Sequence, residues 1–376
     1  MSSMDFLDKL LDGAAIGWLS LGDVTRYEQP TKYLVAAKNY NDEFETPVLT
    51  AGKTFILGFT DEVDGIYKAS EAPVIIFDDF TTANKWVVFD FKVKSSAMKM
   101  ITSTDESKVL LKYIYYWLNT LPSELVDGDH KRQWIGTFAE KRIPIPCPDN
   151  PKKSLEIQAE IVRILDTFTS IIAELKAELK ARKKQYNHYR DQLLSFADGE
   201  VEWKTLGEVV TIKHGKDWKT LGAGDIPVYG SGGIMQYVDT FAYDKPSVLI
   251  PRKGSITNIF YVDSPFWNVD TIYYTEIDVK LIVPKFLYYF MKTLDLMELD
   301  TGSGRPSLTQ TILNAIKVPL PPLAEQARIV DILDKFDVLS NSLTEGLPRE
   351  IELRHKQYEY YRDLLFSFPK PEEVAA

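Results

Sequence analysis

The chain of 376 residues has a single cysteine, Cys147, which excludes an intramolecular disulfide and any zinc site built on several thiolates. Its four histidines, His130, His188, His214 and His355, are scattered, so no metal site is expected. No run of 18 apolar residues occurs, which excludes a membrane-spanning helix. Met1 to Gly13 lacks the basic flank and apolar centre of a signal peptide, and these features together point to a cytoplasmic protein. There is no G-x-x-x-x-G-K-[ST] loop to cradle phosphates. An Asn/Asp-Pro-Pro-Tyr/Phe motif and a Gly-rich cofactor loop are also missing, which removes an amino-methyltransferase. Gly230 to Gly233 reads as a turn, and Pro321-Pro322, preceded by Pro319-Leu320, reads as a linker. Asp127 and Asp129 lack the companion lysine of a nuclease. The expectation is a chain with no catalytic site and no cofactor of its own.

Positive charge is also short. The net charge is −10, which taken alone argues against a nucleic-acid partner. The deficit is uneven: residues 1–150 carry 16 basic against 22 acidic residues, whereas 201–320 carry 12 against 13. Local basic loops can therefore coexist with an acidic total.

What the sequence does have is a long-period repeat. Gln158 to Phe168 (QAEIVRILDTF) and Gln326 to Phe336 (QARIVDILDKF) share eight of eleven residues at an offset of 168. Lys183 to Phe196 (KKQYNHYRDQLLSF) and His355 to Phe368 (HKQYEYYRDLLFSF) share nine of fourteen at an offset of 172. Trp18 to Val24 (WLSLGDV) resembles Trp203 to Val209 (WKTLGEV). Each opens a region of short Val, Ile, Tyr and Phe runs broken by Gly, Pro and Asp, the pattern of short strands. Each region leaves through a proline-containing exit, Ile143 to Pro148 and Val318 to Pro322. The order is globular unit, long helix, globular unit, long helix, spanning 1–150, 151–198, 199–321 and 322–369. A short helix over 4–12 resembles the end of a long helix, with Asp8 to Leu11 (DKLL) matching Asp191 to Leu194 (DQLL), and gives the repeat a circular pseudo-twofold character. The fold class is α+β: two β-rich domains separated by two long antiparallel helices.

In the first long helix Ile161, Leu165, Phe168, Ile172, Leu175, Leu179, Arg182, Tyr186, Tyr189, Leu193 and Phe196 alternate at spacings of four and three, a heptad seam. A helix of that length spans ~54 Å at about 1.5 Å per residue, and its seam requires a partner helix. The second helix repeats the start and end of the seam but carries four extra residues and Glu345-Gly346-Leu347-Pro348. Glycine followed by proline predicts a break near 345–348. A lone heptad helix would suggest a dimerisation coiled coil; duplication within one chain allows an intramolecular pair.

The exit Pro319 to Gln326 (PLPPLAEQ), then IVxILDxF, then KQYxxYRDxLxSF resembles the conserved regions of type I restriction-modification specificity subunits. That resemblance covers nearly the whole chain. It implies two target-recognition domains, each reading half of a split, asymmetric double-stranded DNA sequence. It further implies two methyltransferase subunits docked on the helices and restriction subunits in the full complex. S-adenosylmethionine, ATP and Mg would belong to those partners. Ala173 to Lys180 (AELKAELK) is similar to the family's spacer-setting tandem repeat.

DNA readout needs side chains at base edges and phosphate contacts for register. In the second domain the candidates are Lys213, His214, Lys216, Trp218 and Lys219; Arg252, Lys253, Ser255, Thr257 and Asn258; and Arg305 in the loop Thr301 to Ser307. In the first domain they are Thr81, Thr82, Asn84 and Lys85, following Asp78 and Asp79, with Lys131 and Arg132 in place of the Arg305 loop. Asp78 and Asp79 are read either as base contacts or as solvated turn residues. An exposed loop charge is the competing reading for every member. Arg190, Arg362, Tyr189 and Tyr361 are the candidates for partner binding, with helix packing the alternative for the tyrosines. Two other functions compete with the family reading: a stand-alone two-headed DNA-binding protein, and a protein-binding scaffold.

Overall fold

The computed structural model describes residues 9–11, 13–36, 40–50, 54–122, 133–197, 199–300, 306–341 and 345–369. In chain order the first segment gives β1 (Ile16–Ser20), α1 (Leu21–Val24), β2 (Thr25–Glu28), β3 (Thr46–Leu49), β4 (Ile56–Thr60), β5 (Val74–Asp78), β6 (Asn84–Val87), β7 (Lys92–Val93), β8 (Met98–Ser103), α2 (Leu111–Leu118), α3 (Gln133–Gly136) and β9 (Arg142–Pro146). The long helix α4 (Pro151–Leu193) follows. Then come β10 (Glu202–Thr205), α5 (Leu206–Val209), β11 (Val210–His214), β12 (Ile226–Gly230), β13 (Gly233–Val238), β14 (Ser247–Pro251), β15 (Phe260–Val262), β16 (Trp267–Asn268), β17 (Ile272–Ile277), α6 (Pro284–Met291), α7 (Gln310–Ala315) and β18 (Lys317–Leu320). Two helices, α8 (Leu323–Asn341) and α9 (Gly346–Leu365), close the chain.

The chain divides into two units, residues 1–174 with 352–376, and residues 175–351. Each has the same topology. Unit 1 contains a four-stranded sheet ordered β2-β8-β5-β6 and a three-stranded sheet ordered β4-β3-β7; unit 2 repeats both as β11-β17-β14-β15 and β13-β12-β16. Even the parallel pair recurs, β3 with β7 and β12 with β16. The central strands β5 (VIIFD) and β14 (SVLIP) are buried along their whole length, which is why they read as continuous apolar runs rather than alternating ones. The proline-containing exits are strands, β9 pairing with β1 and β18 with β10. Each pair is two-stranded, so a residue without an N–H is tolerated there.

Each unit docks its sheet-covering helix on a long helix through apolar packing and repeated polar contacts, among them a buried glutamine clamp. In unit 1, Ile161 and Leu165 of α4 are fully buried in one core with Tyr113, Ile114, Leu365 and Phe368. In unit 2, Ile329 and Leu333 of α8 share a core with Phe286, Leu287, Tyr186 and Leu194. Burial of one such aliphatic side chain contributes about 1.5–3 kcal/mol. The clamp is Gln158, whose Oε1 accepts from Leu110 N at 2.9 Å and whose Nε2 donates to Lys108 O at 2.9 Å. Gln326 does the same for Val283 N at 2.8 Å and Leu281 O at 3.1 Å. Both glutamines are fully buried, so each amide must be satisfied inside the core.

The seam is occupied within each unit. Phe168 stacks on Tyr361 with centroids 5.2 Å apart, and Tyr189 stacks on Phe336 at 5.7 Å. Arg182, the polar interruption, bonds Glu178 and Gln185 on its own helix. α4 ends at Leu193 rather than 198; the chain then turns through Gly199 at φ +84°. α8 ends at Asn341 and α9 begins at Gly346, whose φ is +73°. A Cβ at Gly346 would lie 2.4 Å from the Val338 carbonyl oxygen, so only glycine fits against the last turn of α8. Of the expected N-terminal helix, residues 9–11 are helical and Leu11 is buried beside Leu365 and Phe368; residues 4–8 and 12 lie outside the described residues. Among the described residues no helix is long and apolar enough to cross a membrane, and no group of His, Cys, Asp and Glu is placed to hold a metal ion. Asp127 and Asp129 lie outside them.

Candidate nucleic-acid interface

In unit 2 three stretches that are far apart in sequence converge on the turn Asn268 to Thr271. The chain leaving β11 crosses β16 so closely that a Cβ at Gly215 would come within 2.1 Å of the Val269 carbonyl oxygen. Lys216 N donates to Asn268 O at 2.9 Å, and Trp267 Nε1 donates to Lys216 O at 3.1 Å. After β14, Arg252 N donates to Thr271 O at 2.8 Å and Arg252 Nη1 to Asp270 O at 3.3 Å. The hairpin between β12 and β13 joins them, because Ser231 N donates to Thr271 Oγ1 at 3.3 Å and Asn258 Nδ2 to Ser231 O at 3.1 Å. A cavity of about 440 Å³ lies among these stretches, lined by Lys216, Asp217, Trp218, Lys219, Met235 and Asp270 among others.

The individual side chains differ in what they have free. Lys216, Lys219, Lys253, Ser255, Thr257 and Asn258 are exposed. Trp218 is half-buried and packs on Val228, Val238 and Val269, so it supports the wall as well as facing the cavity. Lys213 is 3.5 Å from Glu276, and His214 meets the edge of Tyr273 at 5.0 Å. Arg305 lies outside the described residues, but the far end of its loop lands here: Gly254 N donates to Pro306 O at 3.1 Å and Lys253 bridges Ser307. Exposed cations and two carboxylates around one concavity are the kinds of group that phosphate contacts and base-edge readout require.

Unit 1 is different at the same place. Strand register makes Asp79 the counterpart of Arg252, Lys99 of Tyr273, and Gln29 of His214. Asp79 and Lys99 are both fully buried and form an ion pair at 2.9 Å. Trp134 N donates to Asp79 Oδ1 at 2.9 Å, and Lys99 Nζ donates to Gln29 at 3.0 Å. Asp78 is also buried, accepting from Phe80 N at 2.9 Å and Thr81 Oγ1 at 2.6 Å. Neither aspartate is a solvated turn residue or a base contact; both hold the turn after β5 together. Thr82 is likewise a correction. It is buried at φ +60°, its N–H bonded to Asp78 O at 2.9 Å, so it has no surface to offer DNA. Asn84 accepts from Asn119 Nδ2 at 3.1 Å, Thr81 and Lys85 are exposed, and Lys131 and Arg132 lie outside the described residues.

Residues 18–182 and 199–353 each match the family described as type I restriction modification DNA specificity domain. The chain belongs to the type I restriction-modification specificity family. It is 54% identical to the EcoR124I/EcoR124II specificity subunit of Escherichia coli, with 100% of both chains covered. It is 30% identical to the EcoprrI specificity subunit of Escherichia coli over 92% of this chain and 93% of that one. In fold it is similar to the crystal structure of the type I restriction-modification S subunit from M. genitalium, with a TM-score of 0.64 at 19% identity over 96% of this chain and 98% of that one. As a specificity subunit it recognises DNA through two domains and is not itself catalytic.

Two further features of this specificity subunit are duplicated between its halves. Arg190 lies over the Tyr186 ring at 5.8 Å and bonds Asp191 at 2.6 Å; Arg362 lies over Tyr358 at 5.7 Å and pairs with Asp363 at 2.7 Å. These guanidiniums are engaged on their own helices, while Tyr189 and Tyr361 keep part of their rings exposed beyond the seam. Sequence reasoning missed a second duplicated cluster. Lys112 Nζ and Tyr116 Oη reach Asp166 at 2.8 and 2.5 Å, and Lys285 and Tyr289 reach Asp334 at 2.7 and 2.6 Å. Burial first, then the carboxylate bond, holds both tyrosine hydroxyls protonated well above the ordinary tyrosine range. The signal was present: LKYIYYWLNTL and PKFLYYFMKTL share five of eleven residues, and each aspartate sits in the ILDxF repeat.

Proposed function

We propose that the two units each read one half of a bipartite, asymmetric DNA target on behalf of a type I restriction-modification complex. The observation that carries the asymmetry is the exchange of chemistry at equivalent positions: Arg252, Tyr273 and His214 in unit 2 against Asp79, Lys99 and Gln29 in unit 1. Asp79, Lys99 and Tyr273 are buried, so the difference at the surface is Arg252 and the exposed His214 in unit 2 against a place closed by an internal ion pair in unit 1, and two different surfaces on one fold read two different half-sites. The 43-residue helix α4 is shared by both units, and its AELK tandem sets the unread gap. Two methyltransferase subunits and the restriction subunits dock on the subunit in the cytoplasm, bringing S-adenosylmethionine, ATP and Mg. Tyr189 and Tyr361 supply the exposed parts of the docking faces, one in each unit.

The test is salt dependence. In the assembled methyltransferase complex, Lys216→Ala and Lys219→Ala are each expected to lower the slope of log affinity against log salt by about 1, the signature of one lost phosphate contact. An unchanged slope in both variants contradicts the assignment of this cavity to DNA.

A further inference from the structure

The second strand of the outer hairpin is bulged at the same place in both units. In unit 1 the β3–β4 register passes from Val48↔Gly58 to Leu49↔Ile56, leaving Leu57 as the extra residue. In unit 2 the β12–β13 register passes from Val228↔Gln236 to Tyr229↔Ile234, leaving Met235. A bulge turns the side chain of its extra residue away from the alternation of the strand and is kept where that redirection is used. Here it is spent on exposing apolar groups. Ile56 and Leu57 are 40% and 42% exposed, and Ile234 and Met235 are 49% and 58% exposed.

One exposed aliphatic side chain needs no explanation. Two adjacent ones, on a bulge, in both copies of a repeat whose neighbouring polar residues have diverged, do. Their surroundings name the occupant. Met235 lines the cavity that also holds Lys216 and Lys219, and its sulfur lies over Gly230, where a Cβ would approach it to 2.5 Å. In unit 1 the position of Val269, beside the bulge, is taken by Lys94: Lys94 N donates to Leu49 O just as Val269 N donates to Tyr229 O. Lys94 is exposed and rests over Tyr40 at 5.8 Å. The apolar pair of unit 2 is therefore flanked by two exposed lysines and that of unit 1 by one, the complement of a polyanion with apolar base surface between its phosphates.

We propose that Ile56-Leu57 and Ile234-Met235 are apolar base contacts, one pair per half-site, pressed against the bases while the neighbouring lysines hold the phosphates. This rests on the DNA-reading assignment of the two units. A contact of this kind releases no counterions, so it contributes affinity without contributing salt dependence. That property separates it from every basic residue nearby.

The experiment uses the subunit assembled with its methyltransferase partner, and duplexes carrying the sequence that this complex itself methylates, with each half-site altered separately. Met235→Ala and the similarly sized Met235→Gln are expected to weaken binding to the intact target about tenfold, from the loss of roughly half a buried side chain. The salt slope and the affinity for a duplex without the target stay as they were. Leu57→Ala does the same, and the discrimination it loses falls in the opposite half-site. Unchanged affinity in all three variants, a reduced salt slope, or loss of the methyltransferase subunit with DNA discrimination intact would each overturn the inference. If the unaltered complex shows no sequence preference, the recognition reading itself falls; if it does and the variants match it, only the apolar contact falls.

Discussion

Lys99 and Asp79 form an ion pair without solvent contact, at the positions where unit 2 has Tyr273 and Arg252. Two charges removed from water are held by their mutual contact, by the bonds to Gln29 and Trp134 N, and by the Tyr27 ring 5.7 Å from Lys99 Nζ. Asp79→Ala strands the Lys99 ammonium and is expected to destabilise the protein by about 3–5 kcal/mol, whereas Asp79→Ala combined with Lys99→Met recovers most of that loss. Urea unfolding of the three proteins decides it; equal losses in the single and double variants would contradict the pairing. Exchanging recognition chemistry between the units accordingly requires Gln29, Asp79 and Lys99 to change together. None of this was legible in the sequence, because Asp78, Asp79 and Thr82 read as an ordinary polar loop. Lys99 meets Asp79 only through the pairing of β8 with β5, a register that a period-two pattern does not give when the paired stretch is buried on both faces. The basic stretch 213–219 and the segment 252–258 were legible as polar clusters between apolar runs, and their convergence on the turn ending at Thr271 was not.

The long helices were the most legible elements, since a seam at spacings of four and three depends on local periodicity alone. Its members are buried or half-buried, apart from Tyr189 and Tyr361, each at 38% exposure, and the interruption at Gly346 follows from a backbone angle that glycine adopts freely. Within Ala173 to Lys180 only Leu175 and Leu179 turn inward while the other six residues are exposed. Removing one AELK unit therefore shortens α4 by ~6 Å at about 1.5 Å per residue and, as a four-residue step, keeps the apolar face roughly in line. The expected outcome is a methylated target with a shorter unread gap and unchanged half-sites. A constant gap, or an altered half-site sequence, would contradict the spacer role. The boundaries were less legible than the seam: α4 stops at Leu193, where the seam residue Phe196 already belongs to the turn that follows.

At the scale of the whole molecule, an acidic total does not preclude recognition of an acidic polymer, since exposed lysines such as Lys216 and Lys219 gather around one cavity. The net charge of −10 is an average over faces with different tasks. Duplication keeps constant what both halves must share: the glutamine clamp, the Lys–Asp–Tyr cluster and the bulged hairpin. It lets vary what each half must read. The most direct test is to co-express the chain with its methyltransferase subunit in a host lacking adenine methylation and to map the modified adenines by single-molecule sequencing. The expected result is one asymmetric, two-part motif with a constant gap, of which one part alone changes when residues 199–321 are replaced by those of another family member. A continuous or palindromic motif, a replacement that alters both parts, or no methylation from an intact soluble assembly would contradict it.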